Sequence, residues 1–286
     1  MPLLRLLLLI AMLAAQTQLQ TLAAPASPLT IGDTFLIDSA VLGEQRRINV
    51  YVPRGLAPGQ ALPVLYMPDG GLDEDFLHVA GLLQVGNGNG STRPFLLVGI
   101  ENTERRRDLT GPTTSARDRA IAPRVGASQR FRQFLRTELM PHIASRYQVT
   151  RERAIVGESL AGLFVVETLL LEPDLFDTYI AIDPSLWWNQ GALARQVSAA
   201  PPSFEKKNKA LYIATSADAG MVIDGADANA AFARSSGLRY RYRAWPDETH
   251  ATVYHPAALA AFRDMLRPAP KPPSAANDNP APGQAR

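Results

Sequence analysis

The sequence predicts an α/β fold: a mostly parallel central sheet of about eight strands, helices on both faces, and an antiparallel edge at its N-terminal side. Three observations predict it. Short apolar runs bounded by turn residues recur along the chain, helical stretches separate them, and two alternating segments precede them all.

The alternating segments are Phe35 to Val41 and Arg47 to Val52. Their period of two is that of half-buried strands, and together they predict an antiparallel pair. The apolar runs are Pro63 to Met67, Phe95 to Ile100, Ala154 to Val156, Tyr179 to Ile182 and Leu211 to Ala214, and Leu238 to Ala244 is a further strand. Continuous apolar strands of this length suit a parallel sheet buried on both faces. Between them, Phe131 to Tyr147 carries apolar residues at Phe131, Phe134, Leu135, Leu139 and Ile143, which is helical spacing. Leu160 to Leu171 is apolar nearly all round, as a helix packed on a sheet would be.

Composition narrows the function. The 286 residues are 46% hydrophobic and 20% charged, enough for a sizeable core. Twenty-nine Lys and Arg oppose 27 Asp and Glu, a net charge of +2 that gives no reason to expect nucleic acid as a partner. With no cysteine, disulfides, thiolate catalysis and Cys-based metal sites are excluded.

The ends are of a different character. An apolar run from Leu6 to Ala15 follows Arg5, too short for a membrane-spanning helix, and Ala24-Pro25-Ala26 fits a small-residue cleavage site. Residues 1–26 are therefore expected to be a secretory signal peptide, with a periplasmic or secreted destination and no stable membrane insertion after cleavage. Residues 28–267 are expected to form one domain. The Pro- and Ala-rich stretch 268–286 is expected to be a disordered tail.

The chemistry centres on Ile155-Val156-Gly157-Glu158-Ser159-Leu160-Ala161-Gly162. A strand runs into a Gly-x-Ser-x-small turn and a helix follows at once, the context of a nucleophile elbow. The bare motif occurs by chance in about one such chain in five at ordinary residue frequencies, so the strand and helix around it carry the weight.

A serine hydroxyl needs a base. Of His78, His142, His250 and His255, the chain order Ser, acid, His removes the first two. His250 lies in the loop after the last strand and is preferred to His255, which falls at a helix start. The acid is expected after the strand Leu211 to Ala214, where Asp218 comes first; Asp224, Asp227, Asp247 and Glu248 are alternatives, as is a dyad with no acid. An oxyanion hole needs preorganised N–H donors. Leu160 should supply one, and the Gly70–Gly71 turn the other, with Gly71 preferred.

These residues together resemble the esterase D-like family of α/β-hydrolases, most closely its enterobactin-esterase-like branch of siderophore hydrolases. The matching pieces run from Val64-Leu65-Tyr66-Met67-Pro68-Asp69-Gly70 through Val98 to Thr103, Arg107-Asp108-Leu109-Thr110 and the elbow. They continue through Pro173-Asp174-Leu175-Phe176 and Asp183-Pro184-Ser185-Leu186-Trp187-Trp188-Asn189 to Glu248-Thr249-His250. The elbow departs from the family at Glu158, where relatives often carry histidine.

The resemblance implies an α/β-hydrolase fold and a serine carboxylic-ester hydrolase that works through an acyl-enzyme, with Ser159 and His250 as the catalytic pair. It also implies a small-molecule ester substrate and neither metal nor organic cofactor. It gives Trp187, Trp188 and Arg107 a role at the substrate, the tryptophans as a stacking wall and the arginine as a partner for an anion; the alternatives are packing for the tryptophans and a solvated loop for the arginine. Siderophore, feruloyl, acetyl-sugar and simple short-chain esters all fit, and so does acyl transfer to a sugar or other alcohol. A non-catalytic binding module on this scaffold would have lost the nucleophile, base or oxyanion glycines, and all are present.

Overall fold

The computed structural model describes residues 26–205, 207–218 and 226–268. The expected signal peptide lies outside them except for Ala26, and the expected tail except for Pro268. Residues 26–31 are exposed and carry no regular structure.

From Gly32 the chain builds one eight-stranded sheet. The strands are β1 Gly32–Ser39, β2 Glu44–Tyr51, β3 Leu62–Pro68, β4 Leu96–Ile100, β5 Val149–Glu158, β6 Thr178–Ile182, β7 Lys209–Thr215 and β8 Leu238–Ala244. Their order across the sheet is β1-β2-β4-β3-β5-β6-β7-β8. β1 pairs antiparallel with β2, and β2 with β4; every later pairing is parallel. The predicted fold class and antiparallel edge are both observed.

Burial explains the pattern of the runs. Every residue of β3, β4, β6 and β7 is buried, so these strands read as unbroken apolar segments. β8 is an edge, and its Arg239, Arg241 and Arg243 are exposed; charge there discourages pairing with another chain.

Helices cover both faces. On one lie α1 (Phe76–Gly88) and, at the end of the chain, α9 (Tyr254–Met265), which pack on Leu65, Met67, Val156, Ile180 and Tyr212. Short helices α2 (Arg105–Leu109) and α3 (Ala116–Ala120) follow β4. On the other face, α4 (Ser128–Phe134), a π turn at Leu135–Leu139 and α5 (Met140–Arg146) form the predicted helical run. There α6 (Leu160–Leu171), α7 (Trp188–Ala199) and α8 (Ala226–Ala233) also pack. α6 buries ten of its twelve residues, which is why no polar stripe marks it in the sequence. No described helix is long and apolar enough to cross a membrane.

Because β5, β6, β7 and β8 run parallel, the turns at their C-terminal ends gather at one edge of the sheet. Such an edge is where sites form in folds of this kind.

Candidate active site

Ser159 stands alone between β5 and α6, with φ 59° and ψ −119°. A non-glycine residue held in this region stores about 1–3 kcal/mol, which the surroundings must impose. They do so with three backbone bonds. The Ser159 N–H donates to Ile182 O at 3.0 Å, and its carbonyl accepts from the N–H groups of Leu163 at 2.9 Å and Ser185 at 3.0 Å. Small neighbours are compulsory. A Cβ on Gly157 would lie 2.6 Å from the Ala161 carbonyl, and one on Gly162 would lie 3.0 Å from Ile182 O and Pro184 Cα.

His250 arrives in the loop after β8. Its Nε2 is 3.0 Å from Ser159 Oγ, and its Nδ1 is 2.7 Å from Asp183 Oδ2. A carboxylate only accepts, so Nδ1 carries the proton and Nε2 is left to receive the serine hydroxyl.

The carboxylate on the His250 ring is Asp183, after β6, and not Asp218, which the sequence places after β7 as the expected acid. Asp218 accepts the backbone N–H of His250 at 2.8 Å and so anchors the loop rather than the ring. Of the alternatives, Asp224 lies outside the described residues, Asp227 is on α8, and Asp247 and Glu248 lie in the loop of His250 while the ring turns to Asp183. The physical reason is the strand order. β6 lies directly beside β5, one strand nearer to Ser159 than β7. A signal was present: Asp183 directly follows a fully buried strand, where a carboxylate must find partners.

Those partners hold Asp183 in place. Its side chain is wholly buried, Oδ1 accepts the Ser216 N–H at 2.9 Å, and Oδ2 accepts the Ser216 hydroxyl at 2.7 Å. Burial pushes its pKa up, but the His250 ring and these two donors outweigh burial and keep the carboxyl below its ordinary range. For His250 the Asp183 hydrogen bond is the largest influence and raises its pKa; burial opposes, and Glu158, Asp183 and Asp218 add negative potential.

Glu158 adds a second carboxyl on the other nitrogen, its Oε1 3.4 Å from His250 Nε2. Burial raises its pKa to about 7; His250 and Arg105 oppose the rise, and Asp69 and Asp75 reinforce it. Beyond it, Arg105 grips Asp69 with two bonds of 2.7 Å. Burial and the nearby Asp69 raise Asp75 to about 6, Arg105 opposing and Glu74 adding to the rise.

The expected oxyanion donors divide. Leu160 opens α6, at a position whose N–H has no carbonyl a turn earlier within the helix. The Gly70 N–H is committed to Ile100 O at 3.0 Å, so Gly70 is not a donor here. It is a glycine because a Cβ would come within 2.3 Å of Gly99 Cα, a packing reason rather than a catalytic one. The Gly71 N–H donates to Glu74 Oε2 at 2.7 Å, so a carboxylate holds the preferred donor in this structure.

Two substrate-binding expectations also change. Arg107 bonds Glu44 at 2.6 and 3.0 Å and Asp108 at 2.6 and 3.0 Å, in a cluster shared with the buried Arg46. The Arg107 bonds, with help from Thr103 and Arg46, outweigh burial and lower Glu44 to about 2. A guanidinium so occupied braces the fold rather than binding an anion. Trp188 is buried, and its indole N–H donates to Gly111 O at 2.9 Å, so it is a core residue. Trp187 is half-buried and packs against the same core.

A serine poised on a histidine whose far nitrogen rests on a buried carboxylate is built to make one oxygen nucleophilic, and on this sheet it defines a serine hydrolase of the α/β-hydrolase fold. Comparison with known proteins gives the family. The esterase family model, described as "Putative esterase", matches residues 39–254, and the chain belongs to that family. Ferri-bacillibactin esterase BesA of Bacillus subtilis is 30% identical over 217 residues, 69% of this chain and 74% of that protein. Apo-salmochelin esterase of Escherichia coli O6:H1 is 30% identical over 168 residues, 54% of this chain and 52% of that protein. Among solved structures, an IroE-like serine hydrolase of Shewanella oneidensis matches with a TM-score of 0.74 at 26% identity, over 82% of this chain and 80% of that one. The protein is a serine carboxylic-ester hydrolase.

Proposed function

We propose that this protein hydrolyses the ester bonds of a siderophore, with Ser159 as nucleophile, His250 as general base and Asp183 as the acid that orients it. The observation that carries the catalytic part is the unbroken path from Asp183 to His250 to Ser159, with contacts of 2.7 and 3.0 Å. Ser159 Oγ attacks the ester carbonyl while its proton passes to His250 Nε2. The imidazolium, stabilised by Asp183, returns that proton to the departing alcohol, and an acyl-enzyme remains. Water then repeats the sequence and releases the acid. The Leu160 N–H meets the oxyanion, and the Gly71 N–H joins it once Glu74 moves aside.

The siderophore reading rests on the relatives. The bacillibactin and salmochelin esterases are named for such substrates, and BesA matches over most of both chains. The export reading rests on the apolar run after Arg5 and supports a periplasmic or secreted enzyme.

The test is Ser159→Ala assayed on a siderophore triester lactone and on p-nitrophenyl acetate. Loss of both activities is expected, and undiminished turnover in the variant would sink the assignment. Wild-type kcat/KM should be higher on the siderophore; preference for the simple ester would remove the substrate reading and leave the chemistry. Fractionation of producing cells tests export, with activity expected outside the cytoplasm.

A further inference from the structure

The turn that supplies the acid also carries a buried serine whose hydroxyl has one partner among the described residues, the oxygen of Ser159. Ser185 is 1% exposed, and its Oγ lies 3.3 Å from Ser159 Oγ. Its backbone N–H donates to the Ser159 carbonyl at 3.0 Å, so the two serines are fixed to each other by main chain as well. Asp183, two residues earlier, holds φ at 43° and donates its N–H to Ala214 O at 2.8 Å, which fixes the start of the turn.

Direction follows from counting protons. Ser159 has one hydroxyl hydrogen, and it belongs to His250 Nε2 when the base is neutral. The hydrogen between the two serine oxygens must then come from Ser185. We propose that Ser185 is a further catalytic residue, a hydrogen-bond donor to the nucleophilic oxygen that stabilises it as it gives up its proton. No proton leaves Ser185. The bond that breaks is Ser159 O–H, its proton goes to His250 Nε2, and the Oγ electron pair forms the new bond to the acyl carbon. The Ser185 O–H points at Oγ throughout and strengthens as negative charge develops there, because a charged acceptor makes a stronger hydrogen bond.

Burial supports the assignment. A hydroxyl removed from water is costly unless it is bonded, and alanine would fill the same place without that cost. The position is separate from the oxyanion donors. The Leu160 N–H, joined by the Gly71 N–H once Glu74 moves aside, serves the carbonyl oxygen, whereas Ser185 lies on the β6 side of Ser159, with the acid. One tripeptide, Asp183-Pro184-Ser185, thereby supports both the base and the nucleophile.

The inference rests on Ser159 being the nucleophile, and its test is chosen to separate the two. The rate at which a fluorophosphonate labels the enzyme reads serine nucleophilicity whatever the natural ester is. In Ser185→Ala, that rate and kcat/KM on p-nitrophenyl acetate should both fall about 10- to 100-fold, the range for one hydrogen bond to a charged group. KM, the acid limb of the pH profile and the melting temperature should stay near the wild-type values, since His250 and the packing are untouched. Ser185→Cys keeps the volume with a weak donor and should follow the alanine variant. An alanine variant labelled as fast as wild type, or a cysteine variant restored to the wild-type rate, would overturn the role. A wild-type enzyme that the reagent does not label would overturn the reading of Ser159 itself.

Discussion

The two sides of Ser159 are built on opposite plans. On the β6–β8 side the polar groups around the base are matched: Asp183 has His250 and two donors from Ser216, the His250 backbone N–H has Asp218, and Ser185 has Ser159. On the β3–β4 side four carboxyls, Asp69, Glu74, Asp75 and Glu158, face Arg105 and Asn102, and the two with pKa values pushed up titrate near neutrality. The first side is fixed by satisfied hydrogen bonds. The second stores electrostatic strain, and its Glu74 occupies the Gly71 N–H that an oxyanion would use. The difference teaches where geometry is held constant and where the site can respond to substrate and pH.

The largest effect should come from the matched side. His250→Ala removes the base and should lower kcat by about 10⁴-fold or more in steady-state ester hydrolysis, with a nearly unchanged melting temperature. Next is the elbow. In Gly157→Ala the new Cβ meets the Ala161 carbonyl at 2.6 Å. It should lose about 1–3 kcal/mol in a denaturant titration, together with most of its activity, because the collision displaces Ser159.

The acidic side should give smaller and pH-dependent effects. Catalysis needs neutral His250, and the Glu158 carboxylate raises the pKa of that ring. In Glu158→Gln that raising influence is gone, while Asp183, Asp218, Asp69, Asp75 and Arg105 remain. The acid limb of kcat/KM should therefore move to lower pH. An unmoved limb would show that Glu158 does not act on the base.

The smallest effect is on stability. The Asp75 pKa is raised from 3.8 to about 6, so the folded state binds the proton more tightly than the unfolded chain does. Its charged form costs stability as pH climbs between those values, and the cost is complete above 6. Asp75→Asn should therefore melt a few degrees higher than wild type at pH 8, about 1 kcal/mol after allowance for solvent screening, with the gain vanishing below pH 4.

Much of this was legible in the sequence, for identifiable reasons. β3, β6 and β7 are buried on both faces and so appear as bounded apolar runs, and the elbow shows because only small residues fit around Ser159. The meeting of Ser159 and His250 is legible because one motif and one well-placed histidine suffice. Asp183 is not, because chain order says that the acid lies between serine and histidine but not which strand precedes it; that depends on the order of strands in the sheet. Arg107 and Trp188 were misjudged for a related reason. Arginine and tryptophan carry the same letters whether they face a ligand or, as here, Glu44 and the Gly111 carbonyl. The commitment of Gly70 to Ile100 likewise depends on a close approach between β3 and β4 that no local pattern encodes.

The central claim is that Asp183, and not Asp218, serves the His250 ring. The direct measurement is kcat for Asp183→Asn beside Asp218→Asn on the same ester. The bonds at Nδ1 and at the backbone N–H predict a loss of about 10⁴-fold for the first, as when a triad acid becomes an amide. For the second they predict at most about 10-fold, from a loosened loop anchor worth one hydrogen bond. A larger loss in Asp218→Asn than in Asp183→Asn would contradict the account.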